Sequence, residues 1–550
     1  METDCRAWLD EIIRNNISTK EQFDDEIIKL RKKYKCQIKK RDLLYTYRAE
    51  CAKGTYTFDQ KYIKLFQTKA MRSQSGVLVI AVFTSPYPNG RSFSCEYNCH
   101  YCPNEPGQPR SYLTAEPGVR RANKNNFDAI EQFDDRANQY FLMGHPIDKI
   151  ELIILGGTWS SYPKSYQQSF ICELFYAANT YTNRTREMLS LDEEIKINES
   201  ANSRIIGITI ETRPDRITPK ELIYYRTLGI TRVQLGIQHT DDRLLDRVNR
   251  GCKHEHTIKA IELLKMYCFK VDIHVMPGLP QPLLPHVNPK KEELTKDDID
   301  WSYDVYLADQ KMMSDIASVL RPDQLKIYPY TVTRFSQLEL DYYNGLFTLY
   351  THQTDRTQRT KLYDLLIDFL ANCPPWIRVN RVIRDIVTQD IIAGNLNVNL
   401  HNDIDAEMED RGIFSMDIRN REVRGGVVEN PELVIRAYGN NEYFISIENP
   451  KVIYGFLRLN LGPTPDIDDL RDAALIRELH VYGDVLKVNE HADKVQHMGY
   501  GKMLLNTAEE LAKQNGRYKM AVISGVGVRE YYRKRGYIDG TYYLVKYLPK

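Results

Sequence analysis

SCEYNCHYCPNEP, residues 94–106, sets three cysteines, Cys95, Cys99 and Cys102, with three and then two residues between them. Three thiolates fall one short of the four protein ligands that close a structural zinc site. In a four-iron cluster they hold three irons and leave the fourth open to a substrate. A zinc loop completed by His100, or by Cys5, Cys36 or Cys51, is the competing reading. The surroundings bear on the choice. The triplet follows an apolar run at 77–83, and further runs recur at 150–155, 205–210, 233–237, 271–276 and 325–328. Six strands separated mostly by helix-length segments predict an α/β fold, a parallel sheet or partial TIM-type barrel with active groups at the strands' C-terminal ends. The triplet sits just after the first strand, which favours the iron–sulfur reading.

The chain of 550 residues has room for about three domains, or one large barrel and a smaller domain. No run of about 20 apolar residues appears, and METDCRAWLDEIIRNN lacks the apolar core of a secretory signal, so a cytoplasmic protein with no membrane partner is expected. Ten cysteines are scattered from Cys5 to Cys373, unlike a disulfide framework, so the thiols are read as reduced and available to metal. A formal net charge of +1 conceals a basic run, KLRKKYKCQIKKR at 29–41. Lys29, Arg31, Lys32, Lys33, Lys35, Lys39, Lys40 and Arg41 form either a solvated helix face or a nucleic-acid-binding surface that works through phosphate neutralisation. Tyr34, Tyr45 and Tyr47 add surfaces on which bases can stack.

Four regions are expected: a basic helical nucleic-acid-binding region at 1–70, the barrel domain at 71–370, a linker at 371–430 and an α+β domain at 431–550. The polar stretch 180–203 reads as an exposed excursion. In the last region Gln496, Gly499 and Gly501 form Q-x-x-G-x-G ahead of an amphipathic pattern through Leu504, Leu505, Ala508, Leu511 and Ala512. Glycines there let backbone approach a pyrophosphate, which a helix N-terminus favours.

CxxxCxxC resembles the signature of radical S-adenosylmethionine enzymes, whose open iron chelates the cofactor's amino and carboxylate groups before one electron cleaves a carbon–sulfur bond. That family's Gly-Gly turn has a counterpart in Gly156, Gly157 and Thr158, after the second strand. Longer stretches, GITIETRPD (207–215), RVQLGIQHTDDRLLDRVNRG (232–251), HVMPGLP (274–280), RPDQLKIYP (321–329), PPWIRVNRVIRDI (374–386), RELHVYG (477–483) and AVISGVGVREYYRKRGY (521–537), resemble the Elongator catalytic-subunit family from about Lys69 onward. The resemblance implies a radical domain joined to a GNAT acetyltransferase-like domain. It also implies formation of 5-carboxymethyluridine at the tRNA wobble position, with a [4Fe-4S] cluster, S-adenosylmethionine and acetyl-CoA. Elongator-like accessory subunits and the tRNA anticodon stem-loop are the partners it brings.

By the same resemblance Cys95, Cys99 and Cys102 hold the cluster. Glu478, Leu479, His480 and Val481 line acetyl-CoA, Gln496, Gly499, Tyr500, Gly501 and Lys502 lie at its pyrophosphate, and Lys149 matches a further acetyl-CoA position. Tyr532 lies near the thioester, with Tyr531 the second catalytic tyrosine. Glu211, Arg213, Gln234, Gln238, His274 and Lys326, inward at strand ends, are candidates for S-adenosylmethionine or the base. Two departures stand out. Asn89 occupies the place of the family's usual first cluster cysteine, and Cys95 restores the superfamily spacing instead. Ser415 occupies a cysteine position of the family's zinc group, so a structural zinc does not carry over. The rival functions are a protein lysine acetyltransferase working through the second domain alone and a non-catalytic tRNA scaffold. Retention of both cofactor motifs argues against each.

Overall fold

The computed structural model describes residues 2–69, 76–423, 429–439, 441–482 and 499–550. Helices α1 (Glu2–Arg14), α2 (Lys20–Tyr34), α3 (Lys40–Ala52) and α4 (Gln60–Phe66) pack around Trp8, Leu9, Phe23, Leu43, Tyr47 and Phe66. Thr19 and Gln22 cap α2 reciprocally, satisfying two otherwise orphaned donors. The basic run is broken here: Lys35 adopts a left-handed φ of 50° and α3 restarts at Lys40. No helix among the described residues is long and apolar enough to cross a membrane.

The first domain is a sheet of parallel strands ordered as in the sequence: β1 (Leu78–Phe83), β2 (Lys149–Leu155), β3 (Arg204–Thr212), β4 (Arg232–Gln238), β5 (Lys270–Val275), β6 (Gln324–Ile327) and, after a short β7 (Val332–Thr333), β8 (Arg378–Arg381). β7 pairs instead with β9 (Ile391–Ala393). Helices cross over between most neighbours, as parallel pairing requires, and no β1–β8 pairing closes the sheet, so this is the expected partial barrel. Two expectations need correction. The stretch 371–430 is no plain linker, because β8 pairs with β6 inside it. The stretch 180–203 is an exposed excursion only in part: residues 182–185 and 187–190 are exposed, but helix Leu191–Asn198 packs on the preceding helix Lys164–Thr180, with Glu194 fully buried against Arg186 at 2.6 Å.

The second domain is a seven-stranded sheet, β10 (Glu432–Tyr438), β11 (Glu442–Glu448), β12 (Ile453–Asn460), β13 (Ala474–Val481), β14 (Lys519–Val522), β16 (Leu544–Tyr547) and β15 (Ile538–Asp539), in that spatial order. All neighbours are antiparallel except β13 and β14, which pair in parallel over Ala474–Ile476 only and then part. The sheet is seated at the N-terminal ends of the barrel strands. Gly525, in the turn after β14, lies so close to β3 that a Cβ there would stand 1.9 Å from the Ile206 carbonyl oxygen. Arg477 is buried between Asp323 of the barrel domain, at 2.6 and 2.8 Å, and Glu442 at 2.7 Å. Arg232 of β4 likewise reaches Glu478 of β13 at 2.8 Å.

Candidate active site

The cysteine loop leaves the C-terminal end of β1 and is pinned from both sides: His100 N–H donates to Val248, and Leu338 N–H to His100. Within it Cys102 N–H closes a turn on the Cys99 carbonyl at 3.0 Å. Cys99 is buried with Arg213 and Arg250 each 3.5 Å from its sulfur. A hydrogen bond from Cys102, then the two guanidiniums, hold its thiol well below the ordinary range against the opposing effect of burial. Cys95 donates to Thr158 Oγ1 at 3.3 Å, and all three sulfur residues line one cavity. The His100 ring does not line it; burial and Arg247 push that imidazole's pKa down. Cys5 belongs to the N-terminal bundle core, against which Cys36 and Cys51 pack. No three His, Cys, Asp or Glu side chains among the described residues converge on a single ion. Three cavity-facing thiols, one already flanked by cations, fit a four-iron cluster with an open iron better than a closed zinc loop. Asn89 lies apart, in a turn beside Ser165. Ser415 is buried and hydrogen-bonded to Asp417 at 3.1 Å.

Beside the cysteines, Gly156 and Gly157 take φ of +130° and +93°, and a Cβ on Gly156 would stand 1.9 Å from Thr84 Oγ1. Only glycine makes this close turn, which brings Gly157 and Thr158 to the cavity wall. Glu211 ends β3 accepting from Tyr112 at 2.8 Å, its carboxyl raised by burial. Arg213 lies over Tyr97, 3.6 Å from the ring centre, and is held by Asp215 at 2.9 Å. Gln234, Gln238, His274 and Lys326 all face the same space. Lys326 donates to Gln234 at 2.8 Å, and Gln234 donates to Asp272 at 3.2 Å. Burial, then Lys326 and Arg384, keep His274 neutral. A packed barrel interior is dominated by branched apolar side chains. This one is polar around a cavity of about 980 Å³.

The same cavity extends to the second domain, where Glu478, Leu479, His480 and Tyr532 line it. Past Ile476 the divergence of β13 from β14 leaves Glu478–Val481 paired on one edge only, with β12. Glu478 itself is engaged, by Arg232 and by Arg458 at 2.8 Å each. Burial alone would raise its pKa, but the two guanidiniums win and bring it down to about 2. The Tyr532 hydroxyl is buried and its pKa lies far above the ordinary range. Gly499, with φ of +78°, leads into helix Tyr500–Gln514. Gly501 abuts Tyr531: a Cβ there would fall 2.4 Å from the tyrosine hydroxyl. Tyr500 turns into the domain core, Lys502 is exposed, and Lys149 is absent from the cavity wall. Gln496 lies outside the described residues.

The basic run divides in two. Lys33 pairs with Glu11 at 2.6 Å, Lys29 with Glu26 at 3.3 Å and Arg41 with Asp42 at 3.2 Å. Lys40 is half-buried over Phe23, donating to the Leu65 carbonyl. Arg31, Lys32, Lys35 and Lys39 are exposed, with no ion pair among the described residues. Tyr47 is a core residue rather than a stacking surface, whereas Tyr45 is exposed. The sequence reading missed Arg250, Arg232, Asp272 and Lys270. For the last three the signal was a charged residue at alternate positions in β4 and β5, which places them on the inner face.

Residues 91–282 match the Radical SAM superfamily and residues 322–410 the Radical_SAM C-terminal domain. With the parallel half-barrel and its three thiols, they define a radical S-adenosylmethionine protein, a superfamily that carries a [4Fe-4S] cluster and S-adenosylmethionine. Elongator complex protein 3 of Schizosaccharomyces pombe is 34% identical over 510 residues, covering 88% of this chain and 87% of that protein. The tRNA uridine(34) acetyltransferase of Methanocaldococcus infernus is 35% identical over 514 residues, 88% of each. The solved archaeal Methanocaldococcus infernus Elp3 with an N-terminal deletion (1–46) superposes with a TM-score of 0.69 at 32% identity, over 86% of this chain and 99% of that one. The chain belongs to the Elongator complex protein 3 family.

Proposed function

We propose that the protein modifies the wobble uridine of tRNA, forming 5-carboxymethyluridine from acetyl-CoA in its radical S-adenosylmethionine domain, with a GNAT-like second domain presenting the thioester. The observation that carries this is the single cavity with Cys95, Cys99 and Cys102 along one part of its wall and His480 and Tyr532 along another. Cys95, Cys99 and Cys102 would hold the cluster, with Gly157, Thr158, Glu211 and Arg213 around S-adenosylmethionine. Together the two groups supply a carbon radical that takes hydrogen from an unactivated position such as the acetyl methyl.

The chain's own residues do the rest. The parted edge of β13 offers unpaired backbone to the acyl arm of the cofactor. Gly499 and Gly501 keep the helix N-terminus open to its pyrophosphate. Neutral His274 and the Lys326–Gln234 pair offer hydrogen bonds to the edge of a flipped base. Bonding of the acetyl methyl carbon to uridine C5, with the C5 hydrogen leaving as a proton and the surplus electron passing back to the cluster that would supply the first, and then thioester hydrolysis, would leave the carboxymethyl group. The exposed cations of α2 and α3 would bind tRNA phosphates. The test is anaerobic incubation of reconstituted protein with S-adenosylmethionine, acetyl-CoA, reductant and tRNA, followed by nucleoside analysis. 5-Carboxymethyluridine is the expected product. Cluster-free protein that acetylated lysine at full rate, with loaded protein leaving tRNA unmodified, would replace this reading with a protein acetyltransferase.

A further inference from the structure

The cations facing the cavity are nearly all tied to the protein. Arg213 is held by Asp215, Arg232 by Asp272 and Glu478, Lys326 by Gln234, Arg378 by Glu422 and Arg384 by Glu116. Lys270, the first residue of β5, is the exception: among the described residues its ammonium has no hydrogen bond and no ion pair. It shares the inward face with Asp272 and His274, and its register partner on β4 is Arg232. The carboxylates around it are those of Glu151 (β2), Asp272 (β5) and Glu478 (β13), and each already pairs with Arg232, at 3.5, 2.7 and 2.8 Å. Burial, then Arg232, hold the Lys270 ammonium below the ordinary lysine range against the pull of Glu478, Glu151 and Asp272. A half-buried ammonium on a cavity wall with no acceptor in the protein keeps its three donors available to a ligand oxygen.

The position says which oxygen. Lys270 lies at the N-terminal end of the barrel, the end that meets β13, and not at the cysteine end. We propose that Lys270 is a catalytic residue that donates to the acyl oxygen of the acetyl thioester. This rests on the acetyl-CoA reading above. In the hydrolytic step a water oxygen bonds to the carbonyl carbon and the carbon–sulfur bond breaks. One water proton ends on the thiol sulfur, the other passes to solvent, and a carboxylate remains. Negative charge gathers on the acyl oxygen throughout, where a fixed ammonium stabilises it without reorganisation.

The experiment uses the full chain with an anticodon stem-loop and no reductant, so that thiol release reports hydrolysis alone. Wild type should bind acetyl-CoA more tightly than S-ethyl-coenzyme A, the thioether lacking the acyl oxygen. Lys270→Met should bind both alike and release thiol about 100-fold more slowly. Its melting temperature should change little, because among the described residues the ammonium makes no hydrogen bond or ion pair for the substitution to break. Lys270→Arg should keep part of the rate. Wild-type hydrolysis should fall as pH rises through the lowered lysine pKa, and the arginine variant should lose that fall, since its charge persists. An unaltered rate and acyl preference in Lys270→Met would overturn the proposal, as would a rate loss matched by a drop in melting temperature. Wild type that bound neither coenzyme A compound would instead overturn the acetyl-CoA reading, and this proposal with it.

Discussion

Cys99 shows what a single residue contributes beyond its motif. Its sulfur is the buried one of the three, and Arg213 and Arg250 from two other loops approach it. Alanine at Cys95, Cys99 or Cys102 should abolish cluster loading on anaerobic reconstitution, read from the visible and EPR spectra, because thiolates supply the bonds. Cys172→Ala should load normally. Arg250→Met should weaken loading without removing a ligand, because it takes away the charge that favours the Cys99 thiolate; loading equal to wild type would show that the charge is dispensable. The triplet was legible because its information is local, three thiols within eight residues of one another. Arg250 and Lys270 were not, because what they do depends on a partner 151 residues distant in one case and, in the other, on the absence of any among the described residues. A sequence reports residue types and spacing, but not which carboxylates have already been claimed.

At the scale of elements, the six apolar runs became β1 to β6 because one face of each strand packs in the apolar core, while alternate residues of the other face line the cavity. β8 escaped because Arg378–Arg381 is short, polar and at the sheet's edge. The basic run illustrates the same limit: its charges are adjacent in sequence, yet on either side of the turn at Lys35 cations tied to the bundle stand next to exposed ones without an ion pair. Neutralising Arg31, Lys32, Lys35 and Lys39 together should weaken tRNA binding and reduce the log–log salt slope by about 0.7–0.9 for each phosphate no longer neutralised. Lys40→Ala should lower the melting temperature instead, with little change in slope. An unchanged slope in the fourfold variant would return these residues to the role of a solvated face. In helix Tyr500–Gln514, Gly501→Glu should displace Tyr531, besides opposing a pyrophosphate, so acetyl-CoA binding should collapse in a calorimetric titration while cluster loading persists.

For the whole molecule, the decisive feature is a charge network that crosses from barrel to second domain: Asp272, Arg232, Glu478 and Arg458, with Asp323, Arg477 and Glu442 beside them. Glu478 therefore works as a joint between the domains as well as part of the cavity wall. Its resemblance-based role at the cofactor gave no hint of this. A buried pair is weak evidence for net stability, but removing one partner strands the other charge and costs about 3–5 kcal/mol. Glu478→Gln should thus destabilise the whole chain at pH 7, and Arg232→Met added to it should cost less than the two single losses summed. The pH dependence follows from the depressed carboxyl. With a folded pKa of about 2 against an ordinary 4.5, Glu478 contributes stability that is complete above about pH 4.5 and is lost as pH falls toward 2. That contribution is roughly 3 kcal/mol. Melting curves across this window should fall more steeply for wild type than for Glu478→Gln, and both domains should unfold in one transition while the joint is intact. Parallel curves for the two proteins would mean that the carboxylate's protonation does not govern the joint, and that other contacts, such as Arg477 with Asp323 and the close packing of Gly525 on β3, hold the domains.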